Sequence, residues 1–446
     1  MKINRIHIKN YRSIDTITLS FPSQFTVLIG DNGTGKTTIL DALSIAMGGF
    51  LLGLEKQYLS PQTNTPRTIV LDDIRRVAFG RKEIVDQLPV SIEASGYVMN
   101  KEMTWKRELL KKSKKTTATT KDAKMIIDCA NEAQSNTRDI EKHRNVTLPL
   151  LAYHGTGRLW AEHREKIEYK KQGTRLEGYL DCTSPKSSGK QFKAWFKTLE
   201  DEARKFEEPE DQLQLNVIKE VLRQIVPEWE DVAFSFAEDD LLGFFKTPEG
   251  KTKYLPFRML SDGYKNMIGI VADIASRCMK LNPHLGEFAV KKTPGIVLID
   301  ELDLHLHPKW QKKIVGDLKN AFPEIQFIVT THSPFIIQSL KADEIMQLDR
   351  DNQNESIDNE PFRDSIEEIA ASLMKVPNVE RSHLFKEMEQ NATEYFNLIS
   401  EGKNSKNSEK VRDIKTKLDQ LELNYSDDPA YVALMKAERL SSEKIL

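Results

Sequence analysis

The sequence predicts an α/β fold. It has a mixed sheet with an antiparallel lobe, a helical insertion and a charged helical C-terminal tail. Three observations point there. Short apolar runs at 27–29, 296–299 and 327–329 end in glycine, acid or, just beyond a threonine pair, histidine. Buried strands that stop at a site read this way. Residues 2–20 and 88–109 alternate apolar and polar residues, the period of half-buried antiparallel strands. Residues 191–227 and 364–446 space their apolar positions as helices do, among many charges.

The 446 residues are enough for two or three domains' worth of core. Hydrophobic residues make up 39% and charged residues 30%, an ordinary globular balance. Formal net charge is −2, so any nucleic-acid surface would have to be a local patch. The 3 cysteines, Cys129, Cys182 and Cys278, form no C-x-x-C pair. A zinc hook is therefore not indicated, and a reducing cytoplasm fits. The opening "MKINRIHIKNYRSI" alternates and carries charge, which predicts a strand and not a signal peptide. No apolar run approaches the roughly 20 residues of a membrane span.

Four regions follow along the chain. Residues 1–160 form the first half, with "RIHIKNYRSIDTITLSF" as an antiparallel pair and a helix from Thr38 to Met47. Ile69–Phe79 is expected to be a short helix, and "LPVSIEASGYVMNKEMTWKREL" a hairpin. "KKSKKTTATTKDAK", Lys111 to Lys124, has no apolar period and reads as a solvated loop or as a patch for a phosphate backbone. "LPLLAYHGTGRLW" is a buried strand ending in a glycine turn. Residues 161–253 are expected to be a mainly helical insertion, residues 254–350 a second half with a strand near Glu344–Leu348, and 351–446 a charged helical tail.

The chemistry is densest in "FTVLIGDNGTGKTTILDAL", Phe25 to Leu43. Gly30, Gly35, Lys36 and Thr37 satisfy G-x-x-x-x-G-K-[ST] between a strand and a helix. Glycines let successive N–H groups turn toward phosphate oxygens, and the helix start adds its own free N–H groups. Asn32, Gly33, Gly35, Lys36, Thr37 and Thr38 are thus the candidate nucleotide-binding residues. Lys36 would reach the β- and γ-phosphates, and the Thr37 hydroxyl would hold Mg²⁺.

"TPGIVLIDELDLHLHP" ends a strand in Asp300 and Glu301. Carboxylates at the end of a buried strand are costly unless they face a site. Asp300 would hold Mg²⁺ through water, and Glu301 would act as the general base. "FIVTTHSPFI" puts His332 beyond another strand, where it can sense a γ-phosphate. "LSDGYKNMI" opens a helix with Ser261 and Gly263, which is either a second anion site or an ordinary N-cap.

In this order the four motifs resemble the ABC-class P-loop ATPases, in their RecF/SMC/OLD-like branch, over roughly residues 1–340. The resemblance implies an ABC-type head with ATP and Mg²⁺. Ser261 and Gly263 of one chain would close on the γ-phosphate held by another, with Glu301 as base and His332 as switch. Arg12, in "KNYRS", matches an early arginine that approaches the nucleotide in this branch. The glutamine of the usual Q-loop has no clear counterpart; His154 and Arg158 are candidates to replace it. "LHLHP" leaves His305 and His307 open, at a dimer seam or in packing.

The insertion is too short and too poorly heptad-patterned for a long coiled coil. Nothing after the His332 strand looks like a metal-binding nuclease domain. The whole pattern looks like the ATPase subunits of Septu-type anti-phage systems, the PtuA family, which work with an HNH-type nuclease, PtuB. That resemblance implies a homodimer or higher even oligomer, a nuclease partner docked on the tail, and candidate DNA contact through basic patches. The alternatives are a RecF-like DNA-repair ATPase without a nuclease partner, and an ATP-binding scaffold with little turnover.

Overall fold

The computed structural model describes residues 1–21, 24–55, 66–79, 83–112, 121–139, 146–158, 174–185, 189–206, 209–247, 249–349, 354–355, 361, 365–376, 383–400 and 409–424. The chain forms two compact units, Met1–Lys375 and Val376–Leu446.

The first unit has two main sheets. Strands β1 (Lys2–Tyr11), β2 (Ile14–Ser20), β6 (Val90–Val98) and β7 (Lys101–Leu109) form an antiparallel lobe in the order β2-β1-β6-β7. Strands β3 (Phe25–Ile29), β8 (Leu150–His154), β12 (Gly295–Ile299), β13 (Ile325–Thr330), β14 (Ile345–Leu348) and β15 (Asn354–Glu355) form the second, in the order β15-β14-β3-β13-β12-β8. From β14 to β8 its neighbours are parallel; β15 is antiparallel. Strands β3, β12 and β13 are buried throughout, which is why they read as apolar runs without alternation.

Helix α1 (Lys36–Leu51) contacts strands of both sheets, and of its 16 residues only Thr37 and Thr38 are not buried. A helix this enclosed on all sides belongs between layers, not on a surface. Trp105 of β7 fixes its height by donating Nε1–H to the Ala46 carbonyl at 3.0 Å. The sheets are stitched by Gln326, whose buried amide on β13 exchanges two 2.8 Å hydrogen bonds with the Ile3 backbone. A break in the β1–β6 register falls between Ile3 and Arg5. The Gln326 amide thus supplies partners to a backbone that the ladder leaves irregular.

Three regions depart from the sequence reading. Ile69–Phe79 is not a helix. A single turn at Leu71–Asp73 leads into β4 (Arg76–Phe79), which pairs with β5 (Glu83–Asp86). Asp73 closes that turn by accepting from Val70 N at 3.0 Å, and Ile74 then bridges to Tyr11. Next, α2 (Lys124–Arg138) begins at the end of the lysine-rich stretch, and buries Ile126, Ala130 and Ala133. Residues 113–120 of that stretch lie outside the described residues. Finally, the insertion contains α3 (Gly189–Phe206) and α4 (Pro209–Ile225), but also a three-stranded antiparallel sheet. Its strands are β9 (Trp229–Ser235), β10 (Asp240–Lys246) and β11 (Thr252–Pro256), so it runs across residue 253.

Helices α5 (Asp262–Leu281), α6 (Ala289–Lys292), α7 (Pro308–Ala321) and α8 (Pro334–Ile337) complete the second half. Helix α9 (Ile366–Ser372) also belongs to the first unit: Ile369 is fully buried, and Gln347 of β14 donates to the Leu373 carbonyl at 3.2 Å. The tail therefore separates after Lys375, not at 351. In the second unit, α10 (His383–Ser400) and α11 (Glu409–Asn424) pack together, with Tyr395, Leu398, Val411, Ile414 and Leu418 buried. Among the described residues, no helix is long and apolar enough to cross a membrane.

Candidate nucleotide site

Parallel pairing brings Ile29, Ile299, Val329 and His154 to the same edge of the sheet. Loops that leave the C-terminal ends of parallel strands are where open α/β sheets place ligands. Here those loops carry the candidate residues other than Arg12, Ser261 and Gly263.

The phosphate loop follows β3. Gly30, Gly33 and Gly35 have φ of 145°, 86° and 93°, a region where a Cβ is strained. At Gly30 a Cβ would also lie 2.5 Å from the Leu348 carbonyl oxygen. The Lys36 ammonium donates to the carbonyls of Gly30 at 2.6 Å and Asp31 at 2.9 Å, so it spans its own loop. Lys36 is only 8% exposed, and burial pushes its pKa down while Asp300, Asp31 and Glu301 pull it up. Asn32, Gly33 and Thr37 are exposed and Thr38 half-buried.

The acid pair follows β12. Asp300 is 3% exposed and accepts from the Thr37 hydroxyl at 2.9 Å and the Thr330 hydroxyl at 2.7 Å. Its N–H donates to the His154 carbonyl at 2.8 Å. A carboxylate beside a threonine hydroxyl is a hard-oxygen donor set suited to Mg²⁺. Together with the loop amides and Lys36, these residues fit a magnesium-bound nucleotide. Glu301 sits at φ 50°, a left-handed conformation that costs a non-glycine residue about 1–3 kcal/mol. Its N–H is held by the Thr330 hydroxyl at 2.7 Å.

His332 is exposed beyond β13, and its N–H donates to Asp303 at 3.2 Å. Asp303 also accepts from the Thr331 hydroxyl at 2.6 Å. The loops of the acid pair and of the histidine are therefore tied together. Asp303 could have been singled out from the "DELD" run, where a third acid follows the pair, but the sequence does not say what it bonds.

Ser261 is exposed at the N-cap of α5, yet its side chain makes no capping hydrogen bond. The ordinary N-cap reading thus fails for its hydroxyl. Gly263 is buried, and a Cβ there would meet the His305 carbonyl oxygen at 2.5 Å. Asn266, one turn on, donates to the Leu304 carbonyl at 2.7 Å. The start of α5 is in this way seated on the loop after the acid pair. His305 adopts φ 60° in that loop, and His307 caps α7 by accepting from Lys309 N at 3.2 Å. Among the described residues no cluster of His, Cys, Asp and Glu could hold a metal ion on those side chains alone.

Arg12 is paired with two acids. Its guanidinium bonds Asp41 at 2.5 Å and Asp73 at 2.8 Å. Asp41 lies one turn beyond Thr37 on α1 and also accepts from Arg67 at 2.7 Å and the Tyr153 hydroxyl at 2.9 Å. Burial, then the Asp41 charge, raises the Tyr153 pKa, so the phenol stays a donor. Arg12 thus enters a network behind the phosphate loop. The sequence offers no signal for it, since Asp41 reads as a plain helix acid. Buried His154 lies 3.5 Å from Asp273 of α5, which pairs with Arg277 at 2.8 Å. The side chain of Arg158 lies outside the described residues.

Comparison with known proteins gives one family and several relatives. Residues 1–337 match the AAA ATPase domain family. The chain is 28% identical over 404 residues to the retron Vc95 probable ATPase of Vibrio cholerae serotype O1 biovar El Tor, covering 77% of this chain and 73% of that one. It is 26% identical over 413 residues to the retron Ec83 probable ATPase of Escherichia coli, covering 78% and 71%. It is 26% identical over 362 residues to the Septu protein PtuA of Bacillus mycoides strain KBAB4, covering 79% of this chain and 41% of that protein. Because the family match takes in every strand from β1 through β13 and the loops at their ends, this chain belongs to the AAA ATPase domain family.

Proposed function

We propose that the chain is the ATP-hydrolysing subunit of an anti-phage defence complex, a nucleotide-gated dimer that regulates a separate HNH-type nuclease. The observation that carries the catalytic part is the 2.9 Å bond from the Thr37 hydroxyl to Asp300. It joins the phosphate loop to the acid pair at one strand edge. Lys36 and the loop amides hold the β- and γ-phosphates, and Thr37 and Asp300 hold the metal. Mg²⁺, when bound, neutralises charge on the transferring phosphoryl group. Glu301 takes the proton of the attacking water, and His332 contacts the γ-phosphate. Ser261 and Gly263 of a second chain close over it. The relatives named as retron ATPases and as PtuA support a defence role, and the PtuA likeness supports a nuclease partner.

The reading is tested by Glu301→Gln, which keeps the shape and removes the base. Phosphate release should slow about 10²–10⁴-fold, while ATP affinity measured by calorimetry stays near wild type. Release at the wild-type rate would contradict the assignment. The partner is tested separately. A chain ending after Lys375 keeps the whole first unit. It should retain ATP binding and lose the nuclease in a pull-down from the native host; a retained nuclease would exclude the second unit as the docking site.

A further inference from the structure

We propose that Gln311 is a positioning residue that locks the loop of the acid pair to the loop of the switch histidine. It rests on the hydrolytic reading given above. Gln311 lies on the first turn of α7, half-buried, between the two loops. Its Nε2 donates to the Leu306 carbonyl at 2.8 Å and lies 3.5 Å from the Asp303 carbonyl. Its Oε1 accepts from the Ser333 hydroxyl at 2.6 Å. The amide orientation follows from these partners. A carbonyl can only accept, so nitrogen faces Leu306 and oxygen faces Ser333.

The Ser333 oxygen in turn accepts from Phe335 N at 3.2 Å and Ile336 N at 3.3 Å, and Ser333 N donates to the Thr331 hydroxyl at 3.1 Å. That hydroxyl donates to Asp303. The bonds form a closed circuit: Gln311, Ser333, Thr331, Asp303, and back through the 303–306 backbone to Gln311. Glu301 and His332, the proposed base and γ-phosphate switch, sit just before and inside this circuit. Both loops are strained or exposed on their own: Glu301 and His305 have positive φ, and His332 is exposed. Asp303 already ties the two loops through His332 N and the Thr331 hydroxyl, and Gln311 adds a second tie, from α7, at the far end of both. Gln311 acts through the residues it orients, not through contact with the nucleotide.

The test is Gln311→Met, which keeps length and volume and removes both hydrogen bonds, beside Gln311→Glu, which keeps the acceptor for Ser333 and loses the donor to Leu306. The Met variant should lower kcat about 10–100-fold, the range for lost orienting partners, with ATP affinity and melting temperature near wild type. The Glu variant should fall at least as far, because its second carboxylate oxygen faces the Leu306 carbonyl, which cannot donate. Combining Met with Ser333→Ala should cost less than the sum of the two, because both break one circuit. A space-filling role predicts wild-type kcat for Met, and that result would overturn the proposal. So would a loss of kcat that merely follows a fall in melting temperature. Amide hydrogen exchange gives an answer without turnover. In the Met variant, 301–306 and 331–333 should exchange faster while β12 and β13 do not. Unchanged exchange in both loops would also overturn it. A wild-type chain that releases no phosphate would sink only the hydrolytic reading, and the exchange result would still decide the role of Gln311.

Discussion

The phosphate loop and the start of α5 both meet an anion on the proposed mechanism, yet the chain completes one and leaves the other open. At the phosphate loop, the Lys36 ammonium and the Asp300 carboxylate have their partners inside the chain, through the Gly30 and Asp31 carbonyls and the Thr37 and Thr330 hydroxyls. At α5, Ser261 is exposed and its hydroxyl does not cap the helix behind it. The rest of that helix start is anchored from below, by Gly263 against His305 and Asn266 on Leu304. A rigid base under an uncommitted hydroxyl is the form expected of an element that waits for a ligand held elsewhere. On the proposed mechanism the two halves of the site therefore have different needs: the first holds nucleotide alone, and the second requires another chain.

That contrast can be broken at Ser261. An arginine there adds bulk and charge where, on the proposed mechanism, the partner's nucleotide would arrive. Ser261→Arg should cut hydrolysis about 10²–10³-fold, the scale of losing one aimed donor, and leave ATP binding intact by calorimetry. If binding falls as well, Ser261 belongs to the chain's own site and the contrast fails.

A smaller effect separates support from contact at Gly263. A methyl group there meets backbone, not a movable side-chain end, at 2.5 Å. Gly263→Ala should lower stability by about 1–3 kcal/mol, the cost of overpacking. At Gly269, on the same helix, a Cβ would meet no atom within 4 Å, and the alanine variant should melt at or above the wild-type temperature. Equal melting for the two would mean that α5 is not seated on the loop as described.

The phosphate loop, the acid pair and the histidine are legible in the sequence because each is a short motif at the end of a short apolar strand. Local residue order is enough there: glycine conformation and strand burial act over a few neighbours. What depends on distant partners is not legible. Asp41 becomes the hub for Arg12, Arg67 and Tyr153 only after β1, α1 and β8 assemble. Gln311 meets Ser333 across 22 residues of sequence. Ile69–Phe79 misleads for the same reason: its strand β4 exists through pairing with β5, and its turn through Asp73. The sheet β9–β11 is hidden after the insertion helices because β11 is exposed along most of its length and β10 buries no regular alternation of residues, so neither carries a clear period of two.

On the proposed mechanism, one nucleotide site takes its phosphate loop from one chain and Ser261 from another. This is tested most directly by mixing two inactive variants, Lys36→Ala and Ser261→Arg. Lys36→Ala alone cannot hold the phosphates, and Ser261→Arg alone cannot close on them. In a mixed dimer, one site pairs the intact Lys36 of one chain with the intact Ser261 of the other. Random pairing makes about half the dimers mixed, each with one good site of two, so activity should rise from background toward about a quarter of wild type. Differently tagged chains report that mixed dimers form. Activity that stays at background while mixed dimers are present would contradict the account.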